Sequence, residues 1–342
     1  MNIPLDNLYH WVESQLPQPA MLYLFYPHGN KNISGITALR YYNTEHFSTP
    51  QVICHDQEPL DFGLYENIDI NQINQERIAQ GLGFGSQYQR FIWTCIYAEE
   101  YENAVFVYKS PISIAHNYTA DPCFIQSMEE LMNMKPHYVN YGEIQNKNDT
   151  TVIIPELYDV INYVEKNIDS CVKSRSMSRI KEYYWQNKNR NEERMRLFRI
   201  KNTSAVYTHH LALHMRRPNC DDTRPNGGEE YTNEYYIQSL LKIRGTYLKY
   251  DANHTIQIHV YSQGNPVNFK NICEHPIIGK DVMLHLDDNT QDTFIGMTIA
   301  DILVTSASSY SYIAAFLCDG DIYYTDFWHK PCSWWNKLDK LV

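Results

Sequence analysis

The sequence predicts an α/β protein with largely parallel sheets, and three observations lead there. Short apolar or β-branched runs alternate with polar, helix-like segments along the first half. The second half follows the order β-α-β-α-β-α-β, the succession of a doubly wound nucleotide-binding domain. At 342 residues the chain can form two domains, each with its own core.

Element by element, the first half offers candidate strands at 21–26, 51–55, 90–97, 105–108 and 151–154, while 61–89 is polar and reads as loop. Gly81, Gly83 and Gly85 lack a dinucleotide-binding spacing and read as a flexible turn. His28-Gly29, beyond the first strand, reads as a strand-end loop. Basic residues gather between Lys173 and Lys201, with pairs such as Glu192/Arg196 at helical spacing. One long helix or two are expected there, capped near Ser176 or Ser178. This connector reads as a solvated helical face at a domain boundary, with direct binding of phosphate as the alternative. The expected division is therefore 1–200 and 201–342. In the second half the strands fall at 205–215, 255–261, 282–286, 302–305 and 322–324, with helices at 231–248, 292–298 and 309–317.

Composition narrows the function classes. Hydrophobic residues at 43% and aromatic residues at 13% place the chain among folded globular proteins. A net charge of −11 argues against broad binding to nucleic acid or anionic membranes. The first twenty residues carry acids and no long apolar core, so they read as neither signal peptide nor membrane anchor. No run approaches the ~18 apolar residues of a spanning helix. Eight scattered cysteines without a C-x-x-C pair favour reduced thiols in a cytoplasmic protein. The sequons at Asn32 and Asn117 carry no weight without a secretory signal.

The segment 300–317 combines a buried strand, a turn carrying Ser306, Ser308 and Ser309, and a helix. A helix N-terminus presents unpaired N–H groups and partial positive charge, so it suits an anion. His214-Met215-Arg216-Arg217 ends the preceding candidate strand, and guanidinium groups match phosphate oxygens well. Neighbouring strand residues point to opposite faces, so one arginine reaches a cleft and the other braces a loop. Taken alone, the pair also reads as strand-end arginines in surface ion pairs. Arg216, Ser262 and Ser306 fall at carboxyl ends of strands, where ligands of such sheets bind. His210 and His214 are spaced as zinc ligands on a helix. On a strand they stand about 13 Å apart, too far to share a metal, so no metal is expected.

His214-Met215-Arg216-Arg217, the segment 258–264, Asp292-Thr293-Phe294, Ala300-Asp301 and Ser308-Ser309-Tyr310-Ser311 occur in this order. The set resembles the donor domain of fucosyltransferase-like glycosyltransferases, over about 205–322. The resemblance implies a GT-B-like fold, two Rossmann-like domains facing a cleft, with the first domain on the acceptor side. It implies an inverting transfer from a nucleotide sugar to a glycan hydroxyl, with GDP-fucose the first guess and no cofactor or metal. Arg216 would stabilise the leaving diphosphate, and Ser308 and Ser309 would hold phosphate. His214, Arg217, Ser262, Gly264, Ser306 and Tyr310 would line the donor site, and Asp292 would help hold the nucleoside. Pro218-Asn219 departs from the family pattern, which leaves a pentose or another deoxyhexose donor open; Tyr310 in place of phenylalanine is a mild departure, since the ring can keep its packing place. A non-catalytic nucleotide- or glycan-binding protein is the alternative from a different class. Without an anchor, the resemblance implies a bacterial or viral enzyme acting in the cytoplasm.

A general base for the acceptor hydroxyl is expected from the first domain. Cys54-His55-Asp56-Gln57-Glu58 ends the strand 51–55, and Asp56 and Glu58 are its candidate bases. The same residues also read as an ordinary acidic loop. The aromatic segment 323–335 reads as core packing, with a sugar-stacking platform as the alternative.

Overall fold

The structure is a computed structural model describing residues 21–30, 33–40, 83–101, 104–108, 112, 114, 122–138, 151–153, 157–198, 209–217, 231–250 and 255–338. The strand expected at 51–55, with Asp56 and Glu58, lies outside the described residues. The chain forms two compact units, Met1–Asn187 and Lys188–Val342, divided inside the basic segment 173–201.

In the first unit, β1 (Met21–Asn30) and β2 (Ile33–Arg40) precede α1 (Phe84–Ile96), β3 (Ala104–Tyr108), α2 (Phe124–Met132) and β4 (Thr151–Ile153). α3 (Leu157–Lys166), α4 (Ile168–Val172) and α5 (Arg175–Gln186) complete it. The sheet order is β2-β4-β1-β3. It is mixed, not largely parallel, because only residues 31 and 32 separate β1 from β2. So short a link permits a hairpin, whereas a parallel pair needs a crossover of a dozen residues or more. His28 and Gly29 belong to β1 itself, not to a loop. Pro27 lacks an N–H, and the register shifts between Phe25 and Gly29 before pairing resumes.

Residues 90–97 form no strand; 90–96 complete α1. Its positions Tyr88, Phe91, Ile92, Cys95 and Ile96 are all buried. A helix buried on nearly every side carries apolar residues all round, and such a short run matches a buried strand equally well. Gly83 is the helix N-cap and Gly85 lies in its first turn, so the glycines begin a helix. The basic segment gives two helices, not one. The side chain of Ser174, not Ser176 or Ser178, caps α5 by accepting the Met177 N–H at 3.1 Å.

The second unit begins with α6 (Arg190–Leu197), capped by Asn189. β5 (His209–His214), α7 (Asn233–Tyr250), β6 (Ile256–Ser262), the short α8 (Lys270–Cys273) and β7 (Val282–Leu286) follow. α9 (Thr290–Thr298), β8 (Ile302–Val304), α10 (Ser309–Leu317), β9 (Asp321–Tyr324) and β10 (Asn336–Lys337) complete it. The sheet order is β10-β9-β8-β5-β6-β7, and every pair is parallel. Counted from β5, this is the doubly wound order 3-2-1-4-5-6, with its reversal between β5 and β8.

Strand parity divides the two faces. Leu211 and Leu213, Ile256, Ile258 and Val260, and Ile302 and Val304 pack with Tyr236, Ile237, Leu240 and Ile243 of α7. The residues between them, including His210, His259 and His285, point to the other face. α9 packs on β5, α6 and α10. No helix among the described residues is long and apolar enough to cross a membrane.

Candidate functional site at the strand-order reversal

The sheet opens at its carboxyl edge between β5 and β8. These strands pair as far as Leu213 and Val304. Beyond that point each turns to its outer neighbour. The Met215 N–H donates to the Tyr261 carbonyl at 2.9 Å, and the Thr305 N–H donates to the Tyr323 carbonyl at 2.9 Å. The divergence leaves a crevice where doubly wound sheets bind ligands. One side-chain bond crosses it: His214 Nδ1 and Ser306 Oγ are 2.8 Å apart.

The serine turn is a folded device in its own right. Ser308, in extended conformation, caps α10 by accepting the Tyr310 N–H at 3.4 Å. The Ser308 N–H donates to the Ser306 carbonyl at 2.7 Å, and the Ser306 N–H donates to Ser311 Oγ at 3.2 Å. Ser306, Ser308, Ser309 and Ser311 are all buried. Ser311, assigned no role from sequence, is therefore the pin that holds the turn. The helix entrance is preorganised by short-range bonds that follow from serine chemistry.

His214 stands edge-on to Tyr310 with ring centroids 5.6 Å apart. Its basicity is pushed down to about 3, first by burial and then by Arg216. The ring is therefore neutral, and the charge of Arg216, two residues on, helps to keep it so. The hydroxyl of Tyr310 donates to the Thr290 carbonyl, fixing α10 to α9.

Arg217, three residues beyond the end of β5, does different work. It donates to the Tyr231 carbonyl at 3.1 Å and to Asn233 Oδ1, and lies over the Phe269 ring. It braces the entrance to α7. Ser262 donates to the Met215 carbonyl at 2.6 Å, joining the ends of β6 and β5. Gly264 adopts φ 110°, a left-handed conformation natural to glycine, and its N–H donates to the Asp287 carboxylate at 3.3 Å.

Asp292 stands in the first turn of α9, held by both oxygens to Arg196 at 2.8 and 3.0 Å. Arg196 also binds Glu193, so Glu193 and not Glu192 is its partner along α6. Arg196, Leu197, Tyr261, His285, Asp288 and Asp292 line a cavity of about 180 Å³. Tyr261 is one of them, and its hydroxyl is buried without a hydrogen-bond partner. Asp301, of the Ala-Asp pair, accepts the His210 N–H at 2.8 Å and Arg194 at 2.9 Å, anchoring β8 to β5. The basic helix thus spends Arg194 and Arg196 on carboxylates of its own unit.

Sequence reasoning missed a column of buried imidazoles. His210 Nδ1 lies 3.1 Å from His259 Nε2, and His259 Nδ1 lies 3.0 Å from His285 Nε2. His285 Nδ1 meets Asp288 Oδ2 at 3.0 Å. The readable signal is a histidine of matching parity on each of three neighbouring strands. Among the described residues no group of three or more His, Cys, Asp or Glu is placed to hold a metal ion. The closing aromatics supply core: Trp335 is buried against Tyr312 and Phe316, while Trp328 and Trp334 are exposed.

In the first unit, Ser176 and Arg179 of α5 bind Glu99 on the π-helical turn Tyr97–Tyr101. Burial raises the Glu99 carboxyl above its usual range, opposed by Arg179. Both ends of this cluster are engaged in holding α5 to α1, a packing role.

No protein-family model matches the chain, and a search of curated proteins finds no relative.

Proposed function

We propose that this chain is an inverting, metal-independent glycosyltransferase of the GT-B type, moving a sugar from a nucleotide sugar to a glycan hydroxyl. The reading is supported most by one observation: the His214–Ser306 bond across the crevice between β5 and β8, two residues before Arg216. In this reading the diphosphate lies between Arg216 and the serine-capped entrance of α10. The acceptor oxygen attacks the anomeric carbon, the bond from that carbon to the diphosphate oxygen breaks, and the hydroxyl proton passes to a carboxylate. Asp56 and Glu58 are the candidates for that carboxylate. Negative charge grows on the leaving phosphate, and preorganised donors lower the barrier most there. Neutral His214 positions Ser306 and adds no charge. GDP-fucose is the first donor to test; another deoxyhexose or a pentose donor keeps the same site.

The test is release of nucleoside diphosphate from a panel of GDP-, UDP- and dTDP-sugars by the wild type and by Arg216→Ala. Release from at least one donor, reduced about 100-fold or more in the variant, is the expected result. Turnover unaffected by Arg216→Ala overturns the mechanism. Nucleotide binding without any turnover assigns the non-catalytic role instead.

A further inference from the structure

The column of three imidazoles is unusual for its place. His210 is 5% exposed, His259 0% and His285 7%, on the face of a parallel sheet where aliphatic side chains are the norm. Register explains how they meet. His259 pairs across the ladder with Ala212 and Met283. His210 and His285 are thus the diagonal neighbours, two residues back on β5 and two residues on along β7. All three share one face, and each ring reaches the next.

Proton bookkeeping fixes the tautomers. The Asp288 carboxylate accepts, so His285 Nδ1 carries the proton and its Nε2 is an acceptor. His259 must then donate from Nδ1 to His285 and accept at Nε2, and His210 must donate from Nδ1. Every bond points toward Asp288. A fixed charge added to His259 or to His285 would set two donors face to face at 3.0–3.1 Å, whereas His210 can take a proton at Nε2 and keep its bond to His259.

One added proton fits without conflict if every bond shifts together. A proton taken up at His210 Nε2 releases the Nδ1 proton to His259 Nε2. His259 passes its own Nδ1 proton to His285 Nε2, and His285 passes its Nδ1 proton to Asp288. The end state has three Nε2–H rings and a neutral carboxyl that donates back to His285 Nδ1. Four protons then occupy sites that held three, and every hydrogen bond persists with its direction reversed.

We propose that His210, His259 and His285 form a one-proton relay ending on Asp288, which makes the cavity beside β6 and β7 a proton-delivering site. Asp288 and Tyr261 both line that cavity. Its volume of about 180 Å³ admits a small group, and the matching chemistry is a basic oxygen or nitrogen that takes a proton. At the His210 end the ring is shielded by Phe198, stacked at 4.5 Å. The charged groups around it are Arg194, Asp301 and His209. At the Asp288 end the facing groups are Arg196, Asp292 and Tyr261. The relay does not depend on the transferase reading.

The test is ¹⁵N NMR of histidine-labelled full-length protein, which reports the tautomer of each ring, across pH 8 to pH 4.5. All three rings should be Nδ1–H at pH 8. On acidification they should convert to Nε2–H with one shared midpoint and uptake of one proton per chain. Asp288→Asn keeps an accepting oxygen but cannot take the proton, so its rings should match the wild type at pH 8 and fail to convert. Independent titration of the rings, retention of Nδ1–H throughout, or shared conversion in Asp288→Asn each overturns the relay. If Asp288→Asn fails to fold, the wild-type titration alone decides.

Discussion

His214 on β5 and Ser306 after β8 are joined by a 2.8 Å hydrogen bond across the gap where the two strands part company. Ninety-two residues separate them in sequence, so the bond sets how the ends of two non-consecutive strands sit relative to each other. Ser306→Ala deletes the partner of His214 Nδ1 and leaves a buried ring nitrogen unsatisfied. A loss of about 1–3 kcal/mol is expected, read as a lower urea midpoint with unchanged slope. An unchanged midpoint would mean the bond contributes nothing to holding the crevice.

The two neighbouring arginines should separate cleanly. Arg217→Ala strips donors from the Tyr231 carbonyl and Asn233 and uncovers Phe269. It should lower stability by about 1–3 kcal/mol while turnover per folded molecule stays within a few-fold. Arg216→Ala should do the reverse, with the melting temperature nearly kept and turnover lost. Thermal melts and donor-release rates on the same preparations make the comparison. Equal loss of turnover in both variants would contradict this division of labour.

That one of the two arginines braces a loop is legible from sequence, and Arg217 does so on Tyr231 and Asn233. The parallel sheet of the second unit is legible too. β5, β6 and β8 are buried on both faces, so they read as compact apolar runs set off by helices. β10 is not legible: Asn336 and Lys337 are polar, and their strand exists only because β9 offers an edge. α1 reads wrongly as a strand because its burial all round hides the helical period. The histidine column is invisible for another reason. His210, His259 and His285 are 49 and 26 residues apart, and only the register of three strands brings them together. Of the candidate site, the crevice residues are readable along the chain, whereas Ser311 and the cavity around Tyr261 emerge only on folding.

Acidification should destabilise the fold through His214. Its imidazole titrates near 6.5 in an unfolded chain and is pushed down to about 3 in the folded one. Between those values the unfolded chain binds a proton that the folded chain refuses. The stabilisation is therefore complete above about pH 6.5 and declines as pH falls toward 3. Urea midpoints at pH 7 and pH 5 measure the effect. His214→Asn removes the titrating ring, so its drop over this interval should be smaller than that of the wild type by about 1–2 kcal/mol. Identical pH slopes in the two proteins would show that His214 is not held neutral.

Tyr261 offers a test in the opposite direction. Its hydroxyl is buried with no hydrogen-bond partner, and its ring stacks on His285 with centroids 4.6 Å apart. Tyr261→Phe keeps the stacked ring and removes a polar atom that has lost its water. It should leave stability unchanged or raise it by about 1 kcal/mol, a rare sign for a core substitution. The hydroxyl lies against Gly296 on α9, where a Cβ would overlap the phenol oxygen. Gly296→Ala should accordingly displace the ring and cost about 1–3 kcal/mol through overpacking, despite the better helix propensity of alanine. Thermal melts of the two variants measure both effects. A clear loss in Tyr261→Phe would show that the hydroxyl is satisfied in solution, as by an ordered water in the cavity. A gain in Gly296→Ala would show that α9 can shift away from β6.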